Sequence, residues 1–180
     1  MRIENAFDVP ASVEEAWRLL NDVPAIVPCM PGAELVEITG EKTWKARLRV
    51  KLGPIALQLL ADVVREEMDE AGGRVVLTVK AREAKGRGSA DATIESRLSA
   101  RDAGTHVDIV TDLALHGSVA QYGRGVVAEV AGKLTSQFAQ CIAAKLADAP
   151  SEVSTAAAPV GGLRLLFGAF WRSLFRRSRR

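Results

Sequence analysis

Apolar and polar residues alternate with a period of two at the start of the chain, Ile3, Asn5, Phe7 and Val9 against Arg2, Glu4, Ala6 and Asp8. This spacing predicts a strand over 1–9, halted at Pro10. Ser12-Val13-Glu14-Glu15 fits a capping box, in which the hydroxyl and the second Glu satisfy each other's free N–H groups. A helix is therefore expected over about 12–21, with Val13, Ala16, Trp17 and Leu20 at helical spacing. Pro24 is expected to end that stretch, with one further turn at 25–27 before Pro28-Cys29-Met30-Pro31-Gly32.

From 33 to 116 the period of two returns. It is clearest where Trp44, Ala46, Leu48, Val50 and Leu52 alternate with Lys45, Arg47, Arg49 and Lys51, the pattern of an antiparallel sheet covered on one face. Similar runs cover 55–63, 75–81, 90–98 and 107–115, and with 33–40 they predict six strands joined by short turns. Helical spacing resumes over 118–147 through Val119, Tyr122, Val126, Val130, Leu134, Phe138, Cys141 and Leu146. At 1.5 Å per residue this predicts a helix about 45 Å long. The expected architecture is α+β: a seven-stranded curved antiparallel sheet around a long C-terminal helix, with two short helices after the first strand. That is a helix-grip fold, occupying 1–147.

Beyond it, 148–162 (DAPSEVSTAAAPVGG) reads as a flexible linker, with a root-mean-square reach of about 20 Å as a coil. Over 163–180, Leu163, Leu166, Phe167, Phe170, Trp171, Leu174 and Phe175 cover about half of a helical wheel, at about 100° per residue. Arg172, Arg176, Arg179 and Arg180 lie opposite, while Leu165 and Arg177 break the pattern. The stretch is too short and too charged to span a bilayer. It fits a basic amphipathic helix lying in the interface, with anionic lipid as partner. A groove on a partner protein is the other reading.

Charge divides the same way. The formal net charge is +2, yet the six Arg of 163–180 face no acid there, whereas residues 1–147 hold 18 bases and 20 acids. A body of this balance argues against nucleic-acid binding, which needs a basic face on the fold. Cys29 and Cys141, far apart and without a CxxC, argue against a disulfide scaffold and a thiolate metal site; no metal is expected. A start of MRIENAFDVP lacks the apolar core of a signal peptide, so the cytoplasmic face of the membrane is expected.

Four separated segments carry a family resemblance: Pro28-Cys29-Met30-Pro31-Gly32-Ala33, Lys51-Leu52-Gly53-Pro54-Ile55, Gly86-Arg87-Gly88-Ser89-Ala90 and Ala120-Gln121-Tyr122-Gly123-Arg124-Gly125. In this order they resemble the CoxG-like family of carbon monoxide dehydrogenase subunits, within the SRPBCC, or START/Bet v 1-like, superfamily. The resemblance covers about 1–147. It implies an accessory role beside a molybdenum-containing carbon monoxide dehydrogenase or a related oxidoreductase.

Inward positions of the expected sheet are apolar: Trp44, Leu48, Leu57, Leu59, Leu77, Val79, Ile94, Leu113 and Leu115, with small residues Ala46, Ala61, Ala81, Ala90 and Ala92 among them. Met30, Tyr122 and Val126 complete the expected lining of an apolar cavity, with Met30 as a gate in a proline-stiffened loop. An ordinary filled core and a stiff connector are the plain readings of the same residues. No acid, base or nucleophile is seen at inward register, so no catalytic residue is expected. Gly123 and Gly125 inside the long helix suggest close approach of the sheet, of a ligand or of a partner protein, and Gln121 and Arg124 are candidates for partner docking. His106 and His116 read as surface histidines at strand ends.

The expectation for function is a membrane-recruiting accessory protein with no covalent cofactor. It would carry a hydrophobic small molecule, an isoprenoid quinone such as menaquinone, between bilayer and enzyme. A ligand-free tether, or a cyclase- or hydrolase-like enzyme, are the alternatives.

Overall fold

In the computed structural model, residues 1–52, 55–102 and 104–148 are described. The chain divides into two units, Met1–Ala149 and Pro150–Arg180, and every described residue belongs to the first. The expected linker (after Asp148) and amphipathic helix therefore lie outside the described residues.

Alternation produces seven strands, β1 (Arg2–Val9), β2 (Ala33–Gly40), β3 (Thr43–Leu52), β4 (Ile55–Asp69), β5 (Arg74–Glu83), β6 (Gly88–Arg101) and β7 (Gly104–Gly117). They form one curved antiparallel sheet in the order β1-β7-β6-β5-β4-β3-β2, so β1 and β2 are its edges. Every neighbouring pair except β1–β7 is a hairpin, which is why short turns suffice. β4 to β7 run several residues past the limits set by the last apolar residue of each pattern. Ladder hydrogen bonds carry a strand beyond its buried stretch.

Between β1 and β2 lie α1 (Val13–Leu20) and α2 (Val23–Ile26), followed by a 3₁₀ turn at Val27–Cys29. The Glu15 N–H donates to Ser12 Oγ at 3.2 Å and the Ser12 N–H to the Glu15 carboxylate at 3.0 Å, closing the expected capping box. Pro24 does not end a helix; it sits in the first turn of α2, where its missing N–H is harmless, and Asp22 caps that turn.

After β7 a 3₁₀ turn, Ser118–Tyr122, leads into α3 (Gly123–Asp148). The expected helix thus begins five residues late, because Gly123 takes φ +71 at the junction, and it is about 39 Å long. Val127, Phe138 and Ile142 are its buried residues, and Phe138 meets Phe7 of β1 edge to face, with ring centroids 6.0 Å apart.

One core cluster gathers Phe7, Val9, Trp17, Leu98, Val107, Phe138 and Ile142 between α1, α3 and one end of the sheet. Cys29 and Cys141 meet there as a disulfide, with Cα atoms 5.3 Å apart. This corrects the expectation drawn from their separation of 112 residues: α3 runs back along the sheet and delivers Cys141 to the turn that holds Cys29.

Candidate functional site

Sheet register places the expected cavity-lining residues in rows across the inward face. Trp44, Val63, Val79, Ala92 and Leu113 form one row, and Ala46, Ala61, Ala81, Ala90 and Leu115 the next. Leu48, Leu59 and Glu83 follow, then Val50 and Leu57. The second row is therefore a belt of alanines on four adjacent strands. Each Ala ends at Cβ, so the belt is a depression between taller rows.

A second, smaller core cluster lies past the belt, where Leu57 and Val119 are buried with Val50, Ile55, Leu115, Tyr122 and Val130 around them. Leu77 packs with the first cluster and Leu115 with the second, whereas Leu48, Leu59, Val79, Ile94 and Leu113 belong to neither and are half-buried. The inward face thus carries two separately packed ends, and between them Ala81 is buried while the apolar side chains around it are half-buried.

Other expected lining residues are packed into the body or turned outward. Trp44 is buried, and Arg65 places its guanidinium carbon 5.4 Å from the Trp44 ring centroid while Nη1 donates to the Asn21 carbonyl at 3.2 Å. Val126 is 38% exposed, and its neighbour Val127 takes the buried position. Met30 packs on the first cluster beside the disulfide-bonded Cys29, and its carbonyl accepts from the Ala33 N–H at 3.0 Å. The Arg49 N–H donates to the Gly32 carbonyl at 2.9 Å. The 28–33 segment is anchored at both ends, to α3 and to β3.

One inward acid was not expected from the sequence. The pattern in β5 continues past Ala81 to Glu83, which is 4% exposed. One carboxylate oxygen accepts from the N–H groups of Lys85 (2.8 Å) and Arg87 (3.2 Å), and the other from Arg87 Nη2 at 2.9 Å. The Arg87 guanidinium, with these N–H groups behind it, pulls the Glu83 carboxyl down to about 2. Such a group is ionised at neutral pH and its lone pairs are engaged, so it staples the β5–β6 turn and is a poor general acid or base. Arg87 extends the staple by donating to the Ala56 carbonyl at 2.8 Å, and Ser118 Oγ donates to the Arg87 carbonyl at 2.7 Å.

Gly123 and Gly125 also differ from expectation. Among the described residues, a Cβ built at either meets nothing within 4 Å, so close packing on the described sheet is not their cause. Gln121 and Arg124 are exposed beside them. His106 lies on the outward face between Asp8 (2.6 Å) and Asp108 (3.2 Å), and the exposed His116 stands 3.2 Å from Asp91. A recess of about 640 Å³ beside Asp8, Pro10, Arg101 and Thr105 contains none of the expected ligand-facing residues. Among the described residues, no three His, Cys, Asp or Glu side chains gather as a cation would need, and no helix is long and apolar enough to cross a membrane.

A curved antiparallel sheet gripping one long C-terminal helix, with two short helices inserted after the first strand, defines the START-like class. Solved structures agree. A conserved protein from Geobacillus kaustophilus is 23% identical, with a TM-score of 0.73 over 82% of this chain and 95% of that one. The ZhuI aromatase/cyclase from Streptomyces sp. R1128 is 15% identical (TM-score 0.59, 82% and 93% covered). A START superfamily protein from Mycobacterium smegmatis is 12% identical (TM-score 0.56, 81% and 97% covered). Within that class, residues 6–147 match the model of one family of carbon monoxide dehydrogenase subunits, and the chain belongs to it: the CoxG family. No curated protein matches the chain in sequence.

Proposed function

We propose that this protein carries an apolar ligand, an isoprenoid quinone, over the alanine belt between its two core clusters. On this reading it recruits a molybdenum-containing carbon monoxide dehydrogenase or a related oxidoreductase to the cytoplasmic face of the membrane. Family membership supports the dehydrogenase as partner. The observation that carries the ligand is the belt itself. Ala46, Ala61, Ala81 and Ala90 lie in register on four strands, flanked by half-buried Leu48, Leu59, Val79 and Leu113 that neither cluster covers. A surface of this chemistry attracts a long apolar chain by removing it from water, at about 25 cal/mol per Å² buried.

No redox centre is required of the protein, since the quinone itself carries the electrons. Enzyme chemistry is disfavoured because the inward acid, Glu83, is locked by Arg87 and two backbone N–H groups. Membrane recruitment rests on the amphipathic pattern of 163–180.

Organic extraction and mass spectrometry of the full-length protein, purified in mild detergent beside a chain ending at residue 150, test the reading. A stoichiometric quinone in both samples is the expected result. Clean samples from a folded body leave a tether only, and quinone retained with the tail alone means co-purifying lipid and removes the ligand claim.

A further inference from the structure

Among the described residues, exposed cations without a close carboxylate collect at one end of the sheet. Three strand junctions meet at the end of the sheet that holds Tyr122: the end of the β3–β4 ladder at Lys51 and Ala56, the turn from Glu83 to Gly88, and the passage from β7 into α3. Register places them together, since Lys51 pairs with Ala56, Arg82 with Ser89 and Gly88 with Gly117, and the Val119 N–H donates to the Arg87 carbonyl at 3.3 Å. Arg49, Lys51, Arg82, Lys85 and Arg124 are all exposed there. Among the described residues, no carboxylate lies within 4.0 Å of Lys51, Arg82, Lys85 or Arg124. The acid in those turns, Glu83, is buried and bound by Arg87. At the other end of the same strands, the β4–β5 hairpin carries Glu66, Glu67, Asp69 and Glu70 within five residues, between Arg65 and Arg74, and Arg74 pairs with Glu67.

This polarity is not a by-product of composition, because residues 1–147 have more acids than bases. Nor is the cationic end purely polar. Val126 is 38% exposed, Ala56 and Ala120 are exposed, Tyr122 is half-buried, and Gly123 and Gly125 on either side of Arg124 carry no side chain. Exposed cations at one end of the sheet, with small and apolar side chains on the same elements, suit the headgroup layer of an anionic bilayer. Each cation gains from the surface potential, and the apolar groups enter the interface.

We propose that this end of the folded body docks directly on anionic lipid, as a contact surface separate from residues 163–180. It deepens the membrane reading above, for it brings the second core cluster and the adjoining belt to the bilayer, where an apolar ligand would enter or leave. The acidic β4–β5 hairpin then faces away from the lipid.

Hydrogen exchange of the full-length protein tests this, with vesicles of phosphatidylcholine alone and of phosphatidylcholine with phosphatidylglycerol. The expected result is slower exchange over 49–58, 82–90 and 117–126 on the anionic vesicles alone, with 66–74 unchanged. Added salt should relieve it, since exposed charges are screened beyond about 8 Å at physiological ionic strength. A triple variant, Lys51→Glu, Arg82→Glu and Lys85→Glu, should lose that protection and bind the vesicles at least about fivefold more weakly. Its circular dichroism should stay unchanged. Protection confined to 163–180 overturns the proposal and leaves the membrane reading standing. Protection nowhere overturns both. Protection of the same turns by the dehydrogenase and not by vesicles also overturns it, and assigns this end to a protein partner.

Discussion

Glu83 shows how a single residue can look catalytic by position and be structural by chemistry. Its depressed pKa of about 2 sets a pH signature. A carboxyl that titrates near 4.3 when unfolded and near 2 when folded stabilises the fold above the unfolded value, and that contribution is lost as pH falls from about 4.3 to about 2. Glu95, pulled down to about 2 by Arg74 and Arg97, acts in the same window. We expect Glu83→Gln to destabilise the body at pH 7 and to flatten its acid unfolding between about pH 4.3 and 2, measured by denaturant midpoints across that range. An unchanged acid slope would mean that Glu83 contributes no differential proton binding. A second prediction concerns the belt. Ala61 is half-buried and faces Ala46 and Ala81 across its neighbours, so Ala61→Leu fills the depression. Overpacking is expected to cost about 1–3 kcal/mol in a tight core, and less here, so the variant should fold yet lose co-purified quinone. Retention of quinone by a folded Ala61→Leu protein would move the ligand away from the belt.

At the level of elements, the strands were legible because one face of the sheet is apolar and the other charged, which makes the period of two unambiguous in β3. The capping box of α1 was equally plain, being a local sequence signature. What escaped depended on spatial partners or backbone conformation. Glu83 continues the β5 pattern, but a charged residue reads as the end of a strand unless its partner, Arg87 across a tight turn, is known. The Cys29–Cys141 bridge depends on where α3 returns, which no spacing reveals. The start of α3 turned on the positive φ of Gly123, a backbone conformation that periodicity does not display. Of the expected site, the apolar inward positions were readable; their division into two clusters with a belt between them needed the register.

Two element-scale outcomes follow. Gly125 lies in the first turn of α3 with nothing among the described residues within 4 Å of an added Cβ, so Gly125→Ala should raise stability by up to about 1 kcal/mol. A loss would reveal a contact at that position. Reducing the bridge, or Cys141→Ser, should cost about 2–4 kcal/mol, because it frees a closed loop of more than a hundred residues in the unfolded chain. Urea unfolding with and without reductant reads this directly.

For the whole molecule, the disulfide and the proposed address pull in opposite directions, and the tension is itself testable. Quinone exchange with an oxidoreductase at the cytoplasmic face places the body in a compartment that keeps thiols reduced, whereas a stable bridge is characteristic of oxidising compartments. Held with Cα atoms 5.3 Å apart, the two cysteines can close on exposure to air without rearrangement of the fold. A body at the cytoplasmic face should therefore hold two thiols in the cell and a bridge after aerobic purification. Cells quenched in acid, then unfolded in the presence of an alkylating agent without reductant, should yield a protein modified at both Cys29 and Cys141. The aerobically purified protein treated identically should take up none. If the protein from quenched cells also resists alkylation until reductant is added, the bridge exists in vivo. The cytoplasmic address would then fall, and with it the route by which this body would meet a cytoplasmic dehydrogenase, while the alanine belt and its ligand would stand on their own test.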